Sequence, residues 1–235
     1  HFYLFAWWSY IVGVDCWIYL KGGESVVVDK IGEFILFLVP VSAVIWFLFE
    51  GVNLRIQNWH YINVTREVWV RWPATYLAFG TVLPGIFVTG NLLEHLGMFR
   101  KNDFAQFFYD ELPMRTAGLM VGAGVLMMGL ALGWPGYFFP LVWGGVVLIL
   151  DPINARLNGR SLIQEWRQKN WSRTLQLLCA GAVCGGLWEL WNFWAGAKWV
   201  YTVPLPEWLM GQLKIFEMPV LGFLGFPPFA LECFV

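Results

Sequence analysis

The sequence predicts an all-α polytopic membrane protein with about seven transmembrane helices, built as two three-helix repeats of parallel topology plus a connecting helix. Of its 235 residues, 58% are hydrophobic and only 13% are charged, and the mean hydropathy is +0.58. The apolar residues form runs near the length of about 20 that crosses a bilayer. A motif of acidic and aromatic residues occurs twice. This composition excludes an ordinary soluble domain.

Seven apolar runs predict the spanning helices, because only helices and closed barrels satisfy their backbone polar groups within lipid. The fifth run is short because the stretch GWPGYFFP interrupts the pattern before it. The last run still continues at Val235, so we expect the final repeat to be incomplete at its carboxyl end. The predicted spans are 2–20, 33–53, 74–94, 116–133, 137–151, 173–195 and 214–235.

The basic residues predict the orientation. Ten of the 15 lysines and arginines lie in the loops after spans one, three and five, and five lie in the other loops. Cytoplasmic loops are enriched in Lys and Arg, so the first set should be cytoplasmic and the amino terminus outside. We expect a multi-pass protein of a bacterial inner membrane. The first set is Lys21, Lys30, Arg100, Lys101, Arg115, Arg156, Arg160, Arg167, Lys169 and Arg173.

Seven residues recur in the same order in the two halves of the chain, which indicates a duplicated unit. We expect residues 1–95 to form the first repeat, 96–136 the connector with the fourth helix, and 137–235 the second repeat. The connector restores the chain direction, so a pseudo-twofold axis along the membrane normal should bring the two acidic, aromatic corners together. The matched residues are Asp15/Asp151, Gly23/Gly159, Ser25/Ser161, Glu50/Glu189, Asn53/Asn192, Trp59/Trp199 and Tyr61/Tyr201.

The glutamate and asparagine of each corner are three residues apart and so share one helix face. A structural interpretation is open for the small and amide residues: Asn192 would be an interhelical hydrogen-bond partner, and the glycines would let helices approach closely. The glycine pairs in question are Gly181 and Gly185, Gly118 and Gly122, and Gly129 and Gly133. Asp151, which precedes a proline, resembles part of a capped turn.

Carboxyl groups inside a bilayer require a partner or a function, because burying one costs about 2.5–3.5 kcal/mol on insertion scales. Glu50 and Glu189 lie towards the outer ends of their spans. Glu232 is placed most deeply, and the last span has no basic residue near it. A dry carboxyl favours its neutral form and can donate a proton.

Several classes of site are not indicated. The histidines His1, His60 and His95 lack the spacing of zinc or haem ligands, and neither a P-loop nor a dinucleotide-binding motif occurs. The four cysteines lie in apolar segments without CxxC spacing. We therefore predict no metal and no cofactor, and the net charge of -1 gives no reason to expect nucleic acid as a partner.

The second half of the chain resembles the membrane lycopene-cyclase domain of bacterial and fungal carotenoid synthesis. The resemblance rests on an acidic residue ahead of AGAKWVY (195–201) and on a later span that contains GFPPFALECF (225–234). It implies Glu232 and Glu189 as catalytic acids. It also implies a pocket shaped by other residues of both copies, namely Glu50, Asn53, Trp59, Tyr61, Asn192, Trp199, Tyr201 and Pro228.

Two functional hypotheses follow. The first is an isomerase related to carotenoid cyclases, in which a buried acid protonates a polyene or other isoprenoid and aromatic rings stabilise the carbocation. It predicts a long cavity that a catalytic glutamate faces. The second is a non-catalytic integral subunit of a larger respiratory or photosynthetic complex, with membrane lipid, quinone, pigment or other membrane subunits as partners. It predicts that the glutamates pair with protein groups.

Overall fold

The computed structural model describes residues 2–99, 113–203 and 213–235, and these residues are mostly helical. Part of the predicted connector, including Arg100 and Lys101, lies outside the described residues, as does His1. The α-helices are α1 (Phe2–Leu20), α2 (Ile31–Glu33), α3 (Val39–Ile56), α4 (Val68–Phe79), α5 (Val82–His95), α6 (Met114–Gly133), α7 (Pro135–Phe138), α8 (Val142–Arg156), α9 (Leu162–Arg167), α10 (Ser172–Trp194) and α11 (Phe226–Phe234). The strands are β1 (Trp59–Ile62), β2 (Lys198–Tyr201), β3 (Lys214–Ile215) and β4 (Met218–Pro219).

Four helical segments of the described chain are long and apolar enough to cross a membrane. Three of them consist of shorter helices that follow one another directly: a π-helical turn (Phe34–Leu38) joins α2 to α3, α4 leads into α5, and a 3₁₀ turn (Phe139–Leu141) joins α7 to α8. The fold is that of an all-α membrane protein. The four segments are Ile31–Ile56, Val68–His95, Met114–Gly133 and Pro135–Arg156.

Two of the other predicted spans are also long helices. Helix α1 covers the first predicted span, and α10 covers nearly all of the sixth. Helix α1 carries three tryptophans and three tyrosines, and α10 carries three tryptophans and several polar side chains. Helix α10 carries Glu189 and Asn192 of the candidate site, and α1 packs beside it.

The prediction of a single helix over 214–235 is wrong. Strands β3 and β4, of two residues each, pair as an antiparallel hairpin, and a 3₁₀ helix (Val220–Gly225) follows them before α11 begins. Pro227 and Pro228 lack backbone N–H groups, so they fit only the first turn of a helix, and α11 begins beside them. Nine residues at about 1.5 Å each give α11 a length of about 14 Å, half of the hydrocarbon thickness.

The repeated aspartates fix equivalent loops in the two halves. Asp15 and Asp151 are both buried, and each accepts backbone N–H groups that lie 11 and 12 positions later in the chain. The distances are 2.8 and 3.0 Å for Asp15 and 2.7 and 3.1 Å for Asp151. The repeated serines also bond to them, Ser25 to the Asp15 carboxylate and Ser161 to the Asp151 carbonyl. The interpretation of Asp151 as part of a capped turn is wrong in its location, because Asp151, Pro152 and Asn154 lie inside α8. The Asp151 carboxylate instead accepts the first backbone N–H groups of α9.

The glycine predictions are confirmed in one helix and corrected in another. A Cβ at Gly181 would lie 2.4 Å from the Phe226 carbonyl oxygen, and one at Gly185 would lie 2.2 Å from the Phe226 ring, so these two glycines let α11 pack closely on α10. In α6 the close approach is made by Gly124, whose Cβ would lie 2.6 Å from the Gly145 carbonyl oxygen of α8. The predicted α6 glycines instead face open space, with nothing within 4 Å of an added Cβ: Gly118, Gly122, Gly129 and Gly133.

Candidate functional site

The two repeated aromatic segments form one antiparallel ribbon. Strand β1 pairs with β2, with Trp59 opposite Tyr201 and Tyr61 opposite Trp199. His60 lies opposite Val200 at the centre, so residues at equivalent positions of the two copies are related by a local twofold. Directly opposed side chains lie on the same face of a ribbon. The structure therefore brings all four repeated rings together on one face.

The repeated asparagines attach each strand to the helix that precedes it. Asn53 donates to the Trp59 carbonyl oxygen (2.8 Å), and its own carbonyl accepts the Trp59 N–H (3.4 Å). Asn192 does the same with Trp199, at 2.9 and 3.0 Å. Asn192 is thus bonded to the strand just beyond its own helix. The prediction of an interhelical bond is wrong, because the two-sided amide matches a backbone N–H and C=O a few residues further along the chain.

One oxygen of Glu50 accepts three hydrogen bonds. Its Oε1 accepts from the indole N–H of Trp46 (3.1 Å), the indole N–H of Trp59 (3.0 Å) and the hydroxyl of Tyr61 (2.6 Å). Trp46 was not predicted as a site residue. Its position one turn before Glu50, on the same helix face, is the sequence signal that could have identified it.

Glu189 has a different environment from Glu50, although it is the repeat equivalent. The residue is fully buried, its Oε1 accepts one hydrogen bond, from the Tyr201 hydroxyl (2.7 Å), and its Oε2 has no partner among the described residues. Compared with Trp59 in the first copy, Trp199 is placed differently beside the Glu189 carboxyl. Its indole N–H donates to the Tyr201 hydroxyl oxygen at 2.8 Å.

Burial keeps both ribbon tyrosines protonated. It raises the pKa of Tyr61, and the neighbouring Glu50 raises it further. Burial likewise raises the pKa of Tyr201 well above its usual value, with a further contribution from the Glu189 charge. Both hydroxyls are therefore protonated at neutral pH and donate hydrogen bonds to their glutamates.

Glu232 is the least satisfied polar side chain of the described structure. It is 7% exposed, and neither carboxyl oxygen has a hydrogen-bond partner in residues 2–99, 113–203 or 213–235. Pro228 lies at the start of the same helix, α11, which it helps to begin. Glu232 thus combines a buried position with two free oxygen atoms.

An aromatic box lies one helical turn before Glu232. Its centre is Phe229, which is 3% exposed and on the same side of α11 as Glu232, three positions away. Four rings from α3, α8 and α10 surround Phe229 with centroid distances of 5.5–5.9 Å. No sequence pattern predicts this box, because it joins four elements without any short motif. The four rings are those of Trp46, Phe49, Trp143 and Trp188.

A second group of rings links α1 to the ribbon and was also not predicted. Tyr3 packs edge-on against Trp199 at 5.4 Å, and Trp7 packs against Trp188 at 5.5 Å and Trp191 at 4.8 Å. Aromatic side chains of α1 therefore pack against tryptophans that lie close to Glu189 in the chain, on α10, and against Trp199 of β2.

An open apolar groove of about 290 Å³ lies between α1 and α5, away from these residues. None of the predicted site residues lines it. The lining consists of Gly13, Val14, Trp17, Leu92 and Leu96. Glu189 and Glu232 are both buried and do not line this groove.

No three histidine, cysteine, aspartate or glutamate side chains of the described ranges come together as the ligands of a metal ion. Compared with known proteins, the chain matches no family model, no curated protein and no solved structure. The resemblance to the membrane lycopene-cyclase domain therefore stays a prediction.

Proposed function

We propose that this chain is a multi-pass membrane isomerase in which Glu232 donates a proton to an alkene carbon of an isoprenoid polyene, with Glu189 as the second acid. The observation that supports it best is the burial of Glu232 with two unpartnered oxygen atoms. A carboxyl buried without hydrogen bonds favours its neutral form, because the charged form would be poorly solvated. The neutral form is the one that can act as a general acid.

The proposed step balances without an oxidant or a reductant. The O–H bond of Glu232 breaks, and a C–H bond forms at one end of a terminal C=C bond, whose other carbon becomes a carbocation. A neighbouring C=C bond attacks this cation and closes a ring. Loss of a proton from a ring carbon to a glutamate carboxylate restores an alkene, so the product is an isomer of the substrate.

The aromatic box supports the cationic part of this step. The face of an aromatic ring attracts a nearby positive charge by about 0.5–2 kcal/mol. Phe229 lies three positions before Glu232 in α11, and four further rings pack around it. The β1–β2 ribbon, with Trp59, Tyr61, Trp199 and Tyr201, would close the outer end of the binding region.

The test is polyene cyclisation by the purified protein in lipid vesicles that contain an acyclic C40 polyene. Glu232→Gln keeps the shape and removes the proton, so we expect loss of cyclised product, whereas Glu232→Asp should retain part of the activity. Glu33→Gln, the same change at an exposed carboxyl, is the matched control and should not alter the rate. Equal product from wild type and a folded Glu232→Gln would refute the role of Glu232.

A second candidate is a non-catalytic integral subunit of a larger membrane assembly, and the outer face of α6 favours it. Gly118, Gly122, Gly129 and Gly133 leave open space there, beside the exposed Leu119 and Leu126. Small residues of this kind permit close approach of a neighbouring helix. Native mass spectrometry of protein purified in mild detergent distinguishes the candidates, since a subunit should carry partner chains and an isomerase should carry at most an isoprenoid or lipid.

The proposal includes a multi-pass topology, with the amino terminus outside a bacterial inner membrane. A cysteine at Lys21, in a background without native cysteines, should then be protected from a membrane-impermeant maleimide in intact cells. A cysteine at Arg66 should be labelled. The reverse labelling pattern would show that the amino terminus lies in the cytoplasm.

A further inference from the structure

The hydrogen bonds between Trp199, Tyr201 and Glu189 have a fixed direction. An indole nitrogen can only donate, so the Tyr201 oxygen is the acceptor of the 2.8 Å bond from Trp199. The single hydroxyl hydrogen of Tyr201 is then directed to Oε1 of Glu189, at 2.7 Å. The Glu189 carboxyl offers this hydroxyl an acceptor oxygen both as a carboxylate and as a neutral acid, so the same arrangement fits both states.

The direction of these bonds decides which oxygen of Glu189 carries its proton. Oε1 accepts the Tyr201 hydrogen and therefore acts as the carbonyl oxygen of the neutral acid. The acidic hydrogen must be on Oε2, which is buried and has no partner in the described structure. No oxygen or nitrogen atom of the described residues accepts a hydrogen bond from this O–H group. A ligand that took its proton there would do so with a carbon–carbon π bond.

The first copy lacks this arrangement, so the arrangement around Glu189 is specific to the second copy. There Trp59 donates directly to Glu50, together with Trp46 and Tyr61, so three donors converge on one oxygen. In the second copy Tyr201 stands between the indole and the carboxyl. The duplicated corners have kept the same residue types but use them differently.

We infer that Trp199 and Tyr201 are positioning residues that hold the exchangeable proton of Glu189 on Oε2, facing an apolar, alkene-bearing ligand. This inference rests on the proposed function for the identity of the ligand. The orientation of the proton follows from the hydrogen bonds alone, and it can be measured without turnover.

The experiment is infrared difference spectroscopy of the carboxylic C=O stretch of the full chain, in acidified detergent solution. Glu189→Gln identifies the Glu189 band by its loss. In Tyr201→Phe the carbonyl oxygen loses its donor, so this band should move to higher wavenumber. In Trp199→Phe the Tyr201 hydroxyl is free to donate or accept, and the band should split. Tyr61→Phe, the equivalent change in the first copy, should leave the band where it is.

A second measurement does not depend on the folding of the variants. Replacing all tyrosines with 3-fluorotyrosine makes the hydroxyl a stronger donor and should move the Glu189 band to lower wavenumber. An unchanged band in Tyr201→Phe or in the fluorinated protein would overturn the positioning of the proton. A shifted band in a protein that does not cyclise polyenes would overturn the proposed function and leave the positioning intact.

Discussion

The packing of α11 on α10 determines where Glu232 lies, and Gly181→Ala tests it directly. A methyl group at residue 181 would lie 2.4 Å from the Phe226 carbonyl oxygen, 2.9 Å from the Pro227 Cα and 2.9 Å from the Ala230 Cβ. A comfortable C···O contact is about 3.3–3.6 Å, so α11 would have to move by about 1 Å. Two of the three obstacles are backbone atoms, which cannot rotate away as a side chain can.

Gly186→Ala is the matched control, because it lies five residues along the same helix with nothing within 4 Å of an added Cβ. Both variants gain about 0.8–1 kcal/mol of helix propensity over glycine, so that gain cancels in the comparison. Overpacking costs about 1–3 kcal/mol. We expect Gly181→Ala to be less stable than Gly186→Ala by about 2–3 kcal/mol, the upper part of that range.

The assay is reversible unfolding of the purified protein in mixed micelles with increasing SDS, followed by circular dichroism. The difference in unfolding free energy between the two variants is the quantity compared. Equal stabilities would refute the close approach of α10 and α11, and with it the placement of Glu232 beside the aromatic box.

Three further predictions concern the ribbon and the helix termini. Asn192→Ala removes the bonds at 2.9 and 3.0 Å to Trp199 and should lower the unfolding free energy in SDS by about 1–3 kcal/mol; no loss would mean that the strand is held by other contacts. His60→Cys with Val200→Cys, in a background without native cysteines, should form a disulfide on mild oxidation, visible as a gel shift, because the two residues are directly opposed. Absence of the disulfide would contradict the register. Arg173→Ala should change stability by less than about 1 kcal/mol, because its 3.2 Å pair with Glu94 is half exposed; a larger loss in the same assay would contradict this.

Much of this fold could be predicted from local sequence patterns. Long apolar runs predicted α1, α3, α6 and α10 closely, because a helix in lipid depends mainly on length and hydrophobicity. The run over 214–235 was equally apolar, yet it folds as strands, a 3₁₀ turn and a short helix. Hydrophobicity alone cannot place such breaks, which depend on the backbone restrictions of proline and glycine and on the neighbours of each segment.

The site was predictable where it is repeated in the sequence. The recurrence of Glu, Asn, Trp and Tyr identified the residues that β1 and β2 bring together. Their different bonding in the two copies was not predictable, since Glu50 and Glu189 have identical spacing to their asparagines. The aromatic box around Phe229 was also missed, because side chains from four elements meet only after the helices pack.

The most direct test of the proposed proton donor is deuterium incorporation during cyclisation in D₂O. Vesicles with the wild-type protein and an acyclic polyene should yield a cyclic isomer with one solvent deuterium per ring, measured by mass spectrometry, because the carboxyl proton exchanges with solvent before transfer. Glu232→Gln should yield none. A wild-type product without deuterium, or a labelled product from folded Glu232→Gln, would contradict proton donation by Glu232.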